Sequence, residues 1–275
     1  MKRRISTICF GLLFLAGFGI LSYPTVSDRW NAYRQQRLIS EYDETVSTMK
    51  EEDYQIFWEQ AHAYNESLWT RSSSFTLTEE EEAEYRAVLN VSGSGMMGYV
   101  EIPRINCSLP VCHGTDEEVL QTAVGHLEGT SVPAGGEGTH CVLSAHRGLP
   151  SAKLFSNLDQ MENGDIFRLK ILNETLTYQV DQIRTVLPAE VEDLGLVAGM
   201  DYCTLVTCTP YGVNTHRLLV RGVRIENIEE PVEEGTDIPA EEKTGDRFGW
   251  LWLPALGIPA LFLALAYLLF RYRKR

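Results

Sequence analysis

Cys208 and Arg217 lie nine positions apart in the stretch Thr204-Leu-Val-Thr-Cys208-Thr-Pro-Tyr-Gly-Val-Asn214-Thr-His-Arg217-Leu-Leu-Val-Arg-Gly222. Tyr202 to Thr207 is rich in β-branched and aromatic residues. Pro210, Gly212 and Asn214 supply turn chemistry, and Arg217 to Arg224 alternates again. The pattern reads as strand, tight loop, strand, with a thiol where one strand ends and a guanidinium where the next begins. A cysteine becomes a nucleophile when a neighbouring cation or imidazolium favours its thiolate. An arginine beside it can also donate hydrogen bonds to an oxyanion developing on an attacked carbonyl. Such chemistry needs a base. His146 fits best, because it follows the apolar stretch His140-Cys-Val-Leu-Ser-Ala145 and precedes Gly148 and Pro150, a strand end at a rim. His216 adjoins Arg217, so in a regular strand it points to the other face. His126 falls in a helix-to-turn region, and His62 and His113 have no supporting context. The competing reading is a structural cysteine, and chemistry alone leaves the two open.

The elements that must hold these groups change character at Gly95. Downstream, strands are expected at Tyr99–Pro103, Ile105–Val111, His140–Ala145, Asp165–Ile171, Thr175–Val186, Tyr202–Cys208 and Arg217–Arg224. A short helix is expected over Val119–Gly125, and another over Ser151–Gln160, capped by Ser151. Many short strands separated by Gly/Pro turns indicate a closed β-barrel or sandwich over residues 96–228. Upstream, Ser27–Lys50 and Glu51–Trp69 have helical spacing, and Arg71–Glu82 is a loop leading to a helix over Glu80–Leu89.

Two stretches are free of charge and close to the length a helix needs to cross a bilayer: Ile5–Tyr23, after Lys2-Arg3-Arg4, and Phe248–Phe270, before Arg271-Tyr-Arg-Lys-Arg275. Trp250, Trp252, Tyr267 and Tyr272 flank the second as an aromatic belt would. The basic flanks place both termini in the cytoplasm and the residues between outside it. The formal net charge is −14, and seven of the positive charges are in those flanks, so the intervening segment carries −21. That charge argues against nucleic acid and anionic lipid as partners of the outer domain. The expected organisation is a cytoplasmic tip and anchor (1–24), a helical stalk and possible lid (25–95), the β-domain (96–228), an acidic linker (229–247) and a second span with basic tail (248–275).

Cys9 falls in the first span, and five cysteines remain outside, an odd number that leaves at least one unpaired. Cys141 precedes His146 by five residues and Cys203 precedes Cys208 by five. If their strands run parallel and adjacent the two are neighbours, and a disulfide is one expectation and a pair of buried thiols the other. No Cys-x-x-Cys pair, His-Glu-x-x-His motif or phosphate-binding glycine loop is present, so neither a metal nor another cofactor is expected.

Thr204-Leu-Val-Thr-Cys208 with Tyr-Gly-Val-Asn-Thr-His-Arg217 resembles the signature of sortases, and Leu143-Ser-Ala-His146-Arg-Gly resembles the segment carrying their catalytic histidine. Met97-Gly-Tyr-Val-Glu-Ile-Pro103, His126-Leu-Glu-Gly-Thr-Ser131 and Leu154-Phe-Ser-Asn-Leu158 are similar to further sortase segments. The spans and helical pre-domain resemble class C, the pilus-assembling sortases of Gram-positive bacteria. The resemblance implies a mainly β fold, an eight-stranded barrel with N-terminal helices and two flanking transmembrane helices. It implies a membrane-anchored cysteine transpeptidase acting outside the cell. Cys208 would attack the Thr–Gly bond of an LPXTG-like sorting signal, Arg217 would stabilise the oxyanion, and His146 would move the proton. Thr207 and Asn214 would shape the site. The acceptor in class C is a lysine of another pilin; a cell-wall peptide amine, water, or a non-catalytic surface-binding role are the other readings. Class C lids carry an Asp-Pro-aromatic motif that Ser67–Ser94 lacks; Trp69 and Phe75 are the candidate lid residues.

Overall fold

The structure is a computed structural model that describes residues 2–71 and 77–227. Phe75, the acidic linker and the second apolar stretch lie outside the described residues. Ser22–Ile228 form one compact unit.

Eight strands close into a barrel: β1 (Met96–Ile102), β2 (Cys107–His113), β3 (Val124–His126), β4 (Thr139–Ser144), β5 (Ile166–Ile171), β6 (Glu174–Val186), β7 (Asp201–Thr209) and β8 (His216–Ile225). Their order around the barrel is β1-β2-β3-β4-β7-β8-β6-β5. The strand β5 shows why: Phe167, Leu169 and Ile171 point inward and are fully buried, while Arg168 and Lys170 alternate with them and are half-exposed. In β7 the burial is nearly continuous over Tyr202–Leu205, because the outer face is covered as well. The cover over the outward-facing Tyr202 and Thr204 is Arg221, whose Cζ lies 4.2 Å from the centre of the Tyr202 ring, and His140, whose Nε2 meets the Thr204 hydroxyl at 2.7 Å. Two pairings are parallel, β2 with β3 and β4 with β7, and the second lies at the heart of the site.

Three helices precede the barrel: α1 (Lys2–Ser47), α2 (Glu51–Ser67) and α3 (Glu79–Ala87). The helix α1 runs without interruption through Pro24. Its Phe10–Ser47 portion is the one stretch among the described residues long and apolar enough to cross a membrane. The helices share the barrel's core. Ala61, Tyr64 and Tyr85 are buried in the main cluster, and Asn65 clamps Val132 with two reciprocal bonds, 3.1 Å to its carbonyl and 2.8 Å from its N–H. The Tyr85 hydroxyl meets His126 Nδ1 at 2.9 Å and accepts the Gly114 N–H at 2.9 Å. Thr78 caps α3 with a reciprocal Thr78–Glu81 box, as the preceding polar residues and acidic first turn require.

Three expectations differ from the structure. The helix expected over Val119–Gly125 is a single turn at Glu117–Leu120, and Val124 and Gly125 are strand. His126 belongs to β3, whose three residues are too few to show a period. Ser151–Gln160 is not a helix but a series of turns ending in a single 3-10 turn at Leu158–Gln160. Leu154 adopts a left-handed backbone, φ 41°, which a propagating helix cannot contain.

Candidate active site

The antiparallel pairing of β7 and β8 puts Cys208 directly opposite Arg217. The next pair, Thr209 and His216, faces the other way. The pairing of β8 with β6 adds Val186 opposite Arg217, so Val186, Arg217 and Cys208 form one row on the outer face. The loop between β7 and β8 turns at Asn214, in the left-handed region at φ 62°, a conformation asparagine tolerates. Arg217 Nη1 donates to the carbonyls of His216, 3.2 Å, and Asn214, 3.4 Å. The loop thus orients the guanidinium through its backbone, and among the described residues Nε and Nη2 have no partner.

The parallel pairing of β4 and β7 brings in His146. Its register runs from Thr139↔Asp201 to Ser144↔Val206. The same offset of 62 continues beyond the strand: the buried Thr207 hydroxyl donates to the Ala145 carbonyl at 2.8 Å, and Arg147 Nη1 donates to Thr209 Oγ1 at 3.3 Å. The register line of Cys208 therefore meets His146, on the face that Arg217 shares. His146, Cys208 and Arg217 are each half-buried. The Nε2 atom of His146 is buried and has no partner. A desolvated ring nitrogen left unpaired suits a group that must exchange a proton with something that arrives.

The two loops bracketing the row are tied together. Arg147 ion-pairs with Asp159, and its Cζ lies 5.7 Å from the centre of the Tyr211 ring. A Cβ on Gly148 would meet that ring at 3.0 Å, and Gly148 has φ 76°, so both the turn and the close approach require glycine here. Sequence reasoning overlooked Arg147 and Tyr211. The side-by-side His146-Arg147-Gly148 and the turn residue Tyr211 were visible, but only the pairing of the strands shows that they meet.

Trp69 lies at the opposite end of β4 from His146. Its ring lies against Gly138, where a Cβ would stand 3.0 Å from it, and Gly138 precedes the first residue of β4. His146 comes two residues after the last. The described structure therefore does not bring Trp69 to the site.

The other cysteines differ from Cys208 in environment. Burial pushes the thiols of Cys107 and Cys112 up to about 12 and about 11, and that of Cys203 well above its ordinary value. Cys141 and Cys203 stand opposite each other in the parallel register, as neighbours, but both are free thiols. Of the two expectations it is the pair of buried thiols that the structure has, and the two side chains hydrogen-bond each other. Among the described residues no three His, Cys, Asp or Glu side chains converge as metal ligands.

The sortase domain model matches residues 100–225. Sortase C1 from Streptococcus agalactiae is 54% identical, with a TM-score of 0.68 over 70% of this chain and 100% of that one. A sortase C of Streptococcus pneumoniae, solved in work on catalysis and pilin substrate specificity, is 48% identical, TM-score 0.64, covering 70% and 99%. Clostridium perfringens sortase C, solved with the C-terminal cell wall sorting motif, is 42% identical, TM-score 0.62, covering 70% and 99%. With a closed eight-stranded barrel on which Cys208 stands opposite Arg217, this chain belongs to the sortases, cysteine transpeptidases whose class C members are its structural neighbours.

Proposed function

We propose that this enzyme assembles pili: it cleaves an LPXTG-like sorting signal and joins the released acyl group to a lysine of another pilin. The observation that supports the reading is the pairing of Cys208 with Arg217, beside the end of β4 from which the chain runs on to His146. The Cys208 thiolate attacks the threonine carbonyl of the Thr–Gly bond. The carbonyl π pair moves to oxygen, and the oxyanion takes hydrogen bonds from Arg217, whose Nε and Nη2 are uncommitted. The tetrahedral species collapses, the C–N bond breaks, and His146 protonates the departing glycine amine. The acceptor lysine then attacks the thioester carbonyl, His146 takes its proton, and the thiolate leaves as the amide forms. One base serves both half-reactions because each needs the reverse proton transfer of the other.

The likeness to class C structures and the helical pre-domain favour pilin as the partner. The uncharged Ile5–Tyr23 stretch behind Lys2-Arg3-Arg4 supports a membrane anchor, with the barrel outside the cell, and Phe248–Phe270 a second span. Thr207 and Asn214 shape the site without bond changes: one holds the residue before His146, the other holds Arg217. The test is to incubate the enzyme with an LPXTG-like peptide and a lysine-bearing pilin peptide. The expected result is a thioester on Cys208 by mass spectrometry and an isopeptide-linked product, both lost in Cys208→Ala. Product formation by Cys208→Ala would overturn the reading.

A further inference from the structure

The loop that follows His146 is gripped from outside the barrel by α1. Asn31 Nδ2 donates to the Ser151 carbonyl at 2.9 Å, and the Lys153 N–H donates to Asp28 Oδ1 at 2.9 Å. The Lys153 ammonium lies 4.0 Å from Asp28 Oδ2. Asp28 and Asn31 are one turn apart on one face of the helix. That face is polar here and apolar further on, where Ile39, Tyr42 and Val46 pack. Asn31 is buried, 9% exposed. A side chain needed only for packing would be apolar, because a buried amide is tolerated only when bonded.

The gripped loop is short and closed on His146. Leu149 bridges Ala152, the Phe155 N–H returns to the His146 carbonyl at 3.2 Å, and the Gly148 N–H donates to Ser156 Oγ at 3.0 Å. The return is made through Leu154, buried and left-handed at φ 41°, a costly backbone for a side chain of that size. Such a residue persists only when its surroundings fix it, and the residue immediately before it is the one Asp28 holds.

We propose that Asp28 and Asn31 are positioning residues for transpeptidation: α1 fixes the 147–155 loop and through it the imidazole of His146. The inference rests on His146 as the acid–base group. It gives the helix that begins in the N-terminal apolar segment a part in the chemistry as well as in the tether.

Gln35 provides the comparison. It lies on the same face of α1, is equally buried, and donates to the Thr122 carbonyl at 2.7 Å, away from the His146 loop. In the full-length enzyme, turnover of an LPXTG-like peptide with a lysine acceptor is measured for Asp28→Ala/Asn31→Ala. The expected result is a kcat lower by about tenfold or more with KM for the peptide within about twofold, since misplacing a reacting group removes rate rather than affinity. Hydrogen exchange should rise across residues 147–156. Asp28→Asn, which keeps an oxygen acceptor for the Lys153 N–H, should restore kcat, and Gln35→Ala should leave it unchanged. Wild-type kcat in the double variant, or an equal loss in Gln35→Ala, overturns the proposal. If the double variant does not fold, Asn31→Ala alone carries the same test with an expected loss of about threefold. Cys208→Ala and His146→Ala are run beside it. Activity in those two would mean the site itself is misread, whereas their inactivity with a wild-type double variant would remove only the role of α1.

Discussion

Thr207 donates its hydroxyl to the carbonyl of Ala145 at 2.8 Å, so the residues that immediately precede the proposed nucleophile Cys208 and the proposed base His146 are bonded to each other. The bond is inside the barrel, where Thr207 is 1% exposed, while Cys208 and His146 are half-buried. It continues the β4–β7 register past the last backbone pair and carries His146 onto the line of Cys208.

Replacing that hydroxyl by a methyl in Thr207→Val keeps the volume and removes the donor. Stability should fall by about 1–2 kcal/mol, the cost of leaving a buried carbonyl without its partner. Activity should fall further than that loss implies, since His146 loses its register. Urea unfolding and peptide turnover on the same preparation check both; a destabilised variant with full kcat would show that the backbone alone sets the register.

Arg217 is held through its loop by Nη1 alone, and in the proposed reaction its other two nitrogens meet the oxyanion. Arg217→Ala should lower kcat by about 10²–10³, the usual cost of one oxyanion donor. Arg217→Lys should recover only part of this, because an ammonium keeps the charge but not the planar fork. The melting temperature should scarcely move in either, as the side chain makes only loop-backbone bonds. Equal kcat in the Ala and Lys variants would mean that charge is irrelevant at this position.

The hairpin bearing Cys208 and Arg217 was readable because every local signal agrees there: β-branched strands, then Pro210, Gly212 and Asn214, then alternation. The choice of His146 over His216 also follows from period two. What local pattern could not show was anything set by pairing between distant segments. The short β3 exists because β2 and β4 flank it and Tyr85 bonds His126. The residues after Pro150 have helical spacing in Leu154, Phe155 and Leu158, yet Lys153 gives its N–H to Asp28 and Phe155 gives its own to His146, so no helical ladder forms. Cys141 and Cys203 were correctly expected as neighbours, but facing positions in a parallel ladder do not by themselves make a disulfide.

That difference among the cysteines is testable by alkylation of the folded enzyme. Cys208 should react first. Cys107 and Cys112 should react slowly, since burial raises their thiols to about 12 and about 11 and leaves little thiolate at neutral pH. Cys141 and Cys203 should be labelled only after unfolding, and without a reductant, because both are free and fully enclosed. Peptide mass mapping distinguishes the sites. A requirement for reductant before Cys141 and Cys203 label would show a disulfide after all.

His140 predicts a pH dependence of stability. It is 1% exposed, and its ring is satisfied when neutral: Nδ1 faces the Gly195 carbonyl at 2.9 Å and Nε2 faces the Thr204 hydroxyl at 2.7 Å. Assigned from these partners, Nδ1–H donates to the carbonyl and the hydroxyl donates to Nε2. Burial lowers its affinity for a proton below the ordinary value of 6.5; Arg221 adds to this, and the Gly195 carbonyl, Asp181 and Asp193 oppose it. The unfolded chain therefore binds this proton at a higher pH than the folded one. The contribution is complete above 6.5 and is lost as pH falls below it toward the folded value. The urea midpoint should drop between about pH 7.5 and about pH 5.5, and the drop should shrink in His140→Asn, which retains a donor for the Gly195 carbonyl but does not titrate. An equal drop in both proteins would assign the slope to other groups and mean that His140 binds its proton equally well folded and unfolded.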